Sequence, residues 1–119
     1  MDGPIAVVNA NNEECEELCA LLEKNHWQAI PFHSLETLEE FIKENSCQVA
    51  ILDFDSLPVN NRLIGDLKRE HPELPIMGLS SRPFHPELEE AMSTKICACI
   101  GKPPDVDEII YCIKSFGET

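Results

Sequence analysis

The chain has 119 residues, 43% hydrophobic and 26% charged, a composition that is ordinary for one soluble globular domain spanning residues 1–119. Its 22 Asp and Glu against nine Lys and Arg give a formal charge of -13, which disfavours nucleic acids and membrane surfaces as partners. The sequence has neither an apolar stretch long enough to span a bilayer nor the pattern of a signal peptide, so we expect a cytoplasmic protein.

Five apolar runs of strand length lie along the chain, at residues 5–8, 27–32, 49–52, 75–79 and 96–101. Apolar residues at helical spacing follow each run and predict five helices. The first follows the polar residues 9–12, the second follows the cap Ser34, and the third contains residues 63–67. The fourth has Pro86 at its first position, and the last is opened by Asp105 or Asp107. Pro31 cannot donate a hydrogen bond to a neighbouring strand, so the second strand is expected at an edge of the sheet. The alternation predicts an α/β domain with a parallel sheet covered on both faces.

Six cysteines fall within these predicted helices and strands, at positions 15, 19, 47, 97, 99 and 112. Their placement there, rather than in a framework of loops, indicates reduced and buried thiols. The cysteines lack CxxC spacing and the four histidines are scattered over loop-like positions. The sequence therefore does not predict a metal site built from thiols and imidazoles.

Three predicted strands end in polar residues of three different kinds. Asp53 follows the third run, Ser80 follows the fourth, and Lys102 follows the fifth. The carboxyl ends of parallel strands meet at one edge of a sheet, where proteins of this class bind ligands. An acid, a hydroxyl and an ammonium are the groups needed to hold a phosphoryl group on a carboxylate. We therefore predict one pocket that contains all three side chains.

With these residues the chain resembles, over essentially its whole length, the receiver domain of two-component response regulators. The strand ending in Asp53, the hydroxyl of Ser80 and the pair Lys102–Pro103 carry the resemblance, and residues 102–109 are its most specific part. It implies a (βα)5 doubly wound domain of the flavodoxin-like class, with strand order 2-1-3-4-5. It also implies that Asp53 accepts a phosphoryl group from a histidine kinase, assisted by Ser80 and Lys102, and that the Lys102–Pro103 peptide bond is cis. Such a protein is a signalling switch rather than an enzyme.

The metal-binding part of this resemblance is incomplete. Receiver domains end strand one with two acidic residues that hold Mg²⁺, whereas this chain has Asn9 and Ala10 there. An amide is a neutral oxygen ligand and alanine offers none, while Mg²⁺ sites depend on carboxylates and phosphate oxygens. Asp55, two residues after the acceptor, either replaces part of what is lost or forms a turn. We expect Mg²⁺ binding through Asn9, Asp53 and Asp55 to be weak or absent.

The aromatic residue that reports phosphorylation in the family, three positions before the lysine, is replaced by Cys99. A thiol cannot make the swing of an aromatic ring, so we expect a partner to bind a surface already formed in the unmodified protein. The predicted surface comprises Arg82, Phe84 and His85 in the loop after strand four, with Lys114 of the last helix. The resemblance also implies a homodimer through helix four, strand five and helix five.

Of four candidate functions, the residues of the sequence disfavour the last two. The first is a phosphorylatable receiver, and the second is a pseudo-receiver that binds another protein without phosphorylation. A flavodoxin-like cofactor protein would need Ser, Thr and Gly to cradle phosphate after strand one, but residues 9–14 contain none of them. Thiol redox chemistry through Cys97 and Cys99 is disfavoured, because same-face neighbours two residues apart in a strand are poorly placed for a disulfide.

Overall fold

The computed structural model describes residues 3–82 and 85–116, which form a five-stranded parallel sheet with helices on both faces. The strands are β1 Ile5–Val8, β2 Ala29–Phe32, β3 Val49–Asp53, β4 Ile76–Ser80 and β5 Ala98–Gly101. The helices are α1 Asn12–Lys24, α2 Leu35–Ile42, α3 Asn61–Glu70, α4 Glu89–Thr94 and α5 Val106–Phe116, with a 3₁₀ turn at Pro86–Leu88. None of the helices in these ranges is long and apolar enough to cross a membrane.

The strand order is β2-β1-β3-β4-β5, and every neighbouring pair is parallel. This order confirms the predicted fold class, and Pro31 lies on an edge strand as expected. Two strands are shorter than their apolar runs, because β2 begins at Ala29, opposite Ile5, and β5 begins at Ala98, opposite Met77.

Polar side chains cap the first turns of three helices. Asn11 Oδ1 accepts a hydrogen bond from the backbone N–H of Glu14 at 3.0 Å, at the start of α1. Ser34 Oγ accepts from the backbone N–H of Thr37 before α2, and Asn60 caps α3 in the same way. Each bond satisfies a donor that has no partner within the helix and so fixes where the helix begins.

Two apolar layers hold the helices on the sheet. Buried side chains of α1 and α5 pack on one face, and those of α2, α3 and α4 pack on the other. Burial of one large apolar side chain contributes about 1.5–3 kcal/mol, so these layers fix the strands and their ends in place. Phe54, which follows β3, belongs to the second layer, and its ring lies over Gly78 of β4.

The cysteines differ in their exposure. Three are buried, at positions 15, 19 and 47. Burial raises the pKa of the Cys19 thiol to about 12 and that of Cys47 to about 11. Cys97 and Cys99 are exposed and Cys112 is half-buried, so the prediction that all six are buried is wrong for the pair in and next to β5. That strand lies at an edge of the sheet, beside a helix, α4, of only six residues.

Candidate functional site

The polar residues that follow the strands meet at one edge of the sheet. Asp53 and Ser80 are the last residues of β3 and β4, Asn9 follows β1, and Lys102 follows β5. The Lys102–Pro103 peptide bond is cis, as the resemblance implies. Because all of these strands are parallel, the four side chains reach one pocket at their carboxyl ends.

The ammonium group of Lys102 contacts three carboxylates. Its Nζ lies 2.5 Å from Asp53 Oδ1, 3.1 Å from Asp55 Oδ2 and 3.2 Å from Glu14 Oε1. Desolvation favours the neutral amine, but the three carboxylates outweigh it and raise the pKa of Lys102 well above its usual value. Desolvation also opposes ionisation of Asp55, yet its contacts with Lys102 and Ser81 lower the pKa of that carboxyl. The pocket thus retains a fixed cation at neutral pH.

The two carboxylate oxygens of Asp53 have different surroundings, although the residue is only 2% exposed. Oδ2 accepts a hydrogen bond from the backbone N–H of Ser56 at 2.9 Å. Oδ1 meets Lys102 in an ion pair that lacks the alignment of a hydrogen bond, and it has no hydrogen-bond donor in the described part of the chain. One oxygen is therefore held by the backbone, while the other is a buried nucleophile beside a cation.

Ser80 has polar neighbours on two sides. Its Oγ accepts a hydrogen bond from the backbone N–H of Arg82 at 3.0 Å and lies 3.4 Å from Asp55 Oδ1. A short hydrogen bond joins the same oxygen to Nε2 of His85. Asp55 consequently contacts both Lys102, which follows β5, and Ser80, which ends β4.

Asn9, at the position where the resemblance implies a metal-binding acid, is held by hydrogen bonds. Its Oδ1 accepts from the backbone N–H of Asn11 at 2.8 Å and from Ser56 Oγ at 3.0 Å. Its Nδ2 donates to Glu14 Oε1 at 3.4 Å, and Ser56 Oγ also accepts from the backbone N–H of Ala10. Ser56 thus joins the loop after β1 to the loop that carries Asp53.

No protein-family model matches the chain, and no curated protein matches it by sequence. Among solved structures, the signal receiver domain of an HD domain-containing protein from Pseudomonas fluorescens Pf-5 matches with a TM-score of 0.85 at 14% identity, covering 99% of this chain and 96% of that one. A CheY-like response regulator receiver domain protein from Methanospirillum hungatei JF-1 has a TM-score of 0.83 at 11% identity, with 99% and 98% covered. A receiver domain protein from Clostridium thermocellum has 0.78 at 20% identity, with 97% and 94% covered.

All three of these structures are described as receiver domains, and each match extends over nearly the whole of both chains. The chain has the receiver-domain fold. At sequence identities of 11–20% the likeness shows the fold alone. The chemistry of the pocket has to be inferred from the side chains of this chain.

The oxygens in the pocket are of the kind that Mg²⁺ binds, but each already contacts a donor or a cation. Asn9 Oδ1 accepts two hydrogen bonds, and Lys102 contacts the carboxylates of Asp53 and Asp55. Among residues 3–82 and 85–116, no group of three His, Cys, Asp or Glu side chains is arranged to hold a metal ion. As arranged, the residues do not fit a tightly bound Mg²⁺, because the ion would have to displace the Lys102 ammonium.

Three residues of the pocket were not predicted to lie there. Glu14 is one of several acids in the first turns of α1, and Ser56 is a loop residue whose position depends on the loop's path. His85 was predicted to be part of an exposed surface, and that prediction is wrong because the residue is 2% exposed. Its Nε2 is bound to Ser80, and its ring packs edge-on against Phe54 with a centroid separation of 5.6 Å.

The remaining residues of the predicted partner surface have separate outcomes. Arg82 and Lys114 are exposed, as expected of surface residues, whereas Phe84 lies outside the residues that the structure describes. Cys99, where the resemblance implies an aromatic switch, is exposed, and desolvation together with the charge of Asp55 raises the pKa of its thiol. A raised pKa lowers the thiolate fraction and argues against a reactive thiol at this place.

A groove of about 370 Å³ runs between α1 and residues 102–104. Leu18 and Leu21 contribute apolar walls from α1, while Glu14 and Lys102 bring it to the polar pocket. The groove thus opens beside the carboxyl edge of the sheet.

Proposed function

We propose that the protein is a cytoplasmic receiver module of two-component signalling, in which Asp53 accepts a phosphoryl group from the phosphohistidine of a partner kinase. The observation that carries the proposal is the Asp53 carboxylate, which is buried at the end of β3 with Oδ1 facing the Lys102 ammonium. The similar solved structures support it at the level of fold, since they are described as response regulator receiver domains. In this role the protein relays a signal and does not turn over a substrate.

The transfer forms a bond between Asp53 Oδ1 and phosphorus while the bond from phosphorus to the donor's imidazole nitrogen breaks. The imidazole leaves and takes up a proton, and negative charge is spread over the phosphoryl oxygens. Lys102 Nζ is 2.5 Å from the attacking oxygen, so a small shift brings it onto a phosphoryl oxygen. Ser80, at the end of the neighbouring strand, supplies a hydroxyl donor for a second one.

The weak Mg²⁺ site belongs to this proposal, with Asn9, Asp53 and Asp55 as its ligands. Lys102 already places a positive charge against both carboxylates, so Mg²⁺ must compete with an ammonium that the protein carries permanently. Positions 9 and 10 lack carboxylates, which lowers the binding free energy that Mg²⁺ could gain at this site.

Beryllofluoride gives a direct test, because the similar receiver domains of DrrB and NtrC4 are described as activated by it. Added with excess Mg²⁺, it should shift the backbone amide resonances of Asp53, Ser80 and Lys102 in the wild-type protein and leave Asp53→Asn unchanged. Asp66→Asn, on the surface of α3, is the matched control and should respond as the wild type does. A wild-type spectrum that does not change would contradict the proposal.

A pseudo-receiver that binds its partner without phosphorylation is the second candidate. The observation that favours it is that polar groups of the pocket already bind one another, since Lys102 contacts three carboxylates and Ser56 Oγ donates to Asn9 Oδ1. This candidate predicts equal partner binding by wild type and Asp53→Asn. The phosphorylatable receiver predicts that the exchange changes partner affinity while the fold stays intact.

We place a homodimer contact on the face formed by α4, β5 and α5. Tyr111 of α5 is 75% exposed, so its ring is accessible to a second copy of the chain. The NtrC4 receiver domain is described as a beryllofluoride-activated dimer, which supports a dimeric state for receivers of this shape. Sedimentation of wild type and Tyr111→Glu, each with beryllofluoride, should show a dimer for the first and a monomer for the second.

A further inference from the structure

The segment after β4 contains a buried histidine that the transfer chemistry does not use. The ring of His85 packs against Phe54 at an interplanar angle of 73°. Its Nε2 forms the short hydrogen bond with Ser80 Oγ, while its Nδ1 lies 2.7 Å from Arg82 Nη2 and 3.5 Å from Glu87 Oε1. Both ring nitrogens therefore have polar partners, although a neutral imidazole carries a proton on only one of them.

The partner at Nδ1 decides which nitrogen carries that proton. A guanidinium has donors and no acceptor, so Arg82 at 2.7 Å requires a lone pair on Nδ1 of His85. The proton of the neutral ring then lies on Nε2, and His85 donates to Ser80 Oγ. Glu87 does not reverse this assignment, because its carboxylate is farther from Nδ1 and contacts the Arg82 guanidinium at 3.1 Å.

This tautomer determines what the Ser80 hydroxyl can do. Its oxygen accepts from His85 Nε2 and from the backbone N–H of Arg82, which together occupy both lone pairs. Its own proton can reach Asp55 Oδ1 at 3.4 Å or the Arg82 carbonyl at 3.1 Å. Of these two acceptors the Arg82 carbonyl is the nearer and Asp55 lies on the pocket side, so the hydroxyl proton is free to turn toward an acceptor in the pocket. The hydroxyl is not an activated nucleophile, because His85 cannot take its proton.

We propose that His85 is a positioning residue, which orients the Ser80 hydroxyl so that it donates to the phosphoryl group on Asp53. The inference rests on the proposed function, since it assigns Ser80 a part in the same transfer. His85 also connects this hydroxyl with the start of α4, because its carbonyl accepts from the backbone N–H of Leu88 at 2.9 Å. A change in the hydrogen bonds of Ser80 consequently reaches the turn that precedes α4.

The tautomer can be measured on the unmodified wild-type protein, whether or not it is ever phosphorylated. Long-range ¹H–¹⁵N NMR should show His85 with its proton on Nε2, and exchange of that proton with water should be slow. In Ser80→Ala the same proton should exchange faster, because its acceptor is gone. A proton on Nδ1 would overturn the inference, because Ser80 would then donate to the ring and no longer to the pocket.

Two exchanges at position 85 test the consequence for the transfer. His85→Phe keeps the ring against Phe54 but cannot donate, whereas His85→Gln keeps a donor at a comparable distance. With a small acyl-phosphate donor, the maximal rate of phosphoryl uptake should fall roughly tenfold in His85→Phe, which corresponds to one hydrogen bond. The donor concentration for half-maximal rate should not change, and His85→Gln should recover most of the rate.

His71→Gln, beyond the end of α3, is the matched control and should behave as the wild type does. Equal rates for wild type and His85→Phe would contradict the positioning role. If the wild type takes up no phosphoryl group at all, the proposed function fails, and the positioning role in transfer fails with it. The NMR measurement still tests the Nε2 tautomer and its hydrogen bond to Ser80 in that case. A failure of the proposed function can therefore be told apart from a wrong assignment of the tautomer.

Discussion

Asp53, Asp55 and Glu14 share the ammonium of Lys102, so the pocket has more negative than positive charge. Asp53 is also desolvated, and burial of an ionised carboxylate is costly. Such an arrangement is typical of sites that are built for function at the expense of stability. Its consequences can be tested one residue at a time.

Asp53→Asn should stabilise the protein. The exchange removes a buried carboxylate, and Lys102 does not lose all of its partners because Asp55 and Glu14 remain. We expect the free energy of unfolding to rise by about 1–2 kcal/mol in denaturant titrations. Asp66→Asn removes the same charge at an exposed ion pair with Arg69 and should change stability by less than about 0.5 kcal/mol. A less stable Asp53→Asn protein would show that the carboxylate contributes more through Lys102 than its burial costs.

Lys102→Met should destabilise the protein in a pH-dependent way. The pKa of Asp55 is lowered by Lys102, so this contribution is present above the ordinary carboxyl pKa and is lost as the pH falls through the folded value. The pKa of Lys102 is raised, so its contribution is present below the ordinary lysine pKa and is lost as the pH rises through the folded value.

We therefore expect Lys102→Met to lower the free energy of unfolding by about 2–4 kcal/mol near pH 7, because a buried carboxylate loses its partner. The difference from wild type should shrink as the pH falls through the lowered pKa of Asp55, where that carboxyl takes up its proton. Lys114→Met, on the exposed side of α5, is the control and should differ little from wild type at any pH. A Lys102→Met deficit that persists unchanged in acid would show that the ion pairs are not its cause.

Ala10→Asp should strengthen Mg²⁺ binding, because it returns a carboxylate to the loop after β1. We expect the wild type to bind weaker than millimolar and the variant about tenfold more tightly, as read from backbone resonances near Asp53. Asn12→Asp adds the same charge at the start of α1, away from the proposed ligands. It shows how much of the effect comes from the added negative charge and not from direct contact with the ion. Sub-millimolar binding by the wild type would contradict the argument from Asn9 and Ala10.

Strand β4 passes beneath the ring of Phe54 at Gly78. A Cβ atom at Gly78 would overlap that buried ring, whereas a Cβ atom at Gly101 in β5 would meet nothing within 4 Å. Gly78→Ala should therefore lower the free energy of unfolding by about 1–3 kcal/mol. It should also displace the ring of Phe54, the residue that follows Asp53. Gly101→Ala is the matched control and should be neutral or stabilising by about 0.5 kcal/mol. In the double variant, Phe54→Leu should restore most of the free energy of unfolding that Gly78→Ala loses. If it restores none, the loss comes from the backbone at position 78 and not from overlap with the Phe54 ring.

The sequence predicted the elements well where a local signal defines them. Alternating apolar runs and helical stripes located all five strands and helices, and the cap at Ser34 set the start of α2. The predictions failed where neighbours in space decide. Strand β2 begins only where β1 offers a partner, and Cys97 and Cys99 are exposed because their strand is at an edge.

The same distinction holds in the pocket. Asp53, Ser80 and Lys102 could be found because each directly follows an apolar run, and strand ends of a parallel sheet meet at one edge. Glu14, Ser56 and His85 reach the pocket from a helix and two loops, and their reach depends on side-chain conformations that no local pattern encodes.

For the whole molecule, the charge of -13 favours basic partners and works against close approach of anions. A phosphoryl donor is such an anion, so the Lys102 ammonium has to offset both the local carboxylates and the wider field. The fold supports the receiver proposal, and the negative charge predicts that phosphoryl uptake is slow.

Covalent phosphoryl uptake tests the central claim most directly. Wild type, Asp53→Asn and Asp55→Asn would be incubated with an acyl-phosphate donor and excess Mg²⁺ and followed by intact mass. The account predicts the gain of one phosphoryl group by wild type and Asp55→Asn, and none by Asp53→Asn. Absence of the group in wild type, or its full retention in Asp53→Asn, would contradict the assignment of Asp53 as the phosphoryl acceptor.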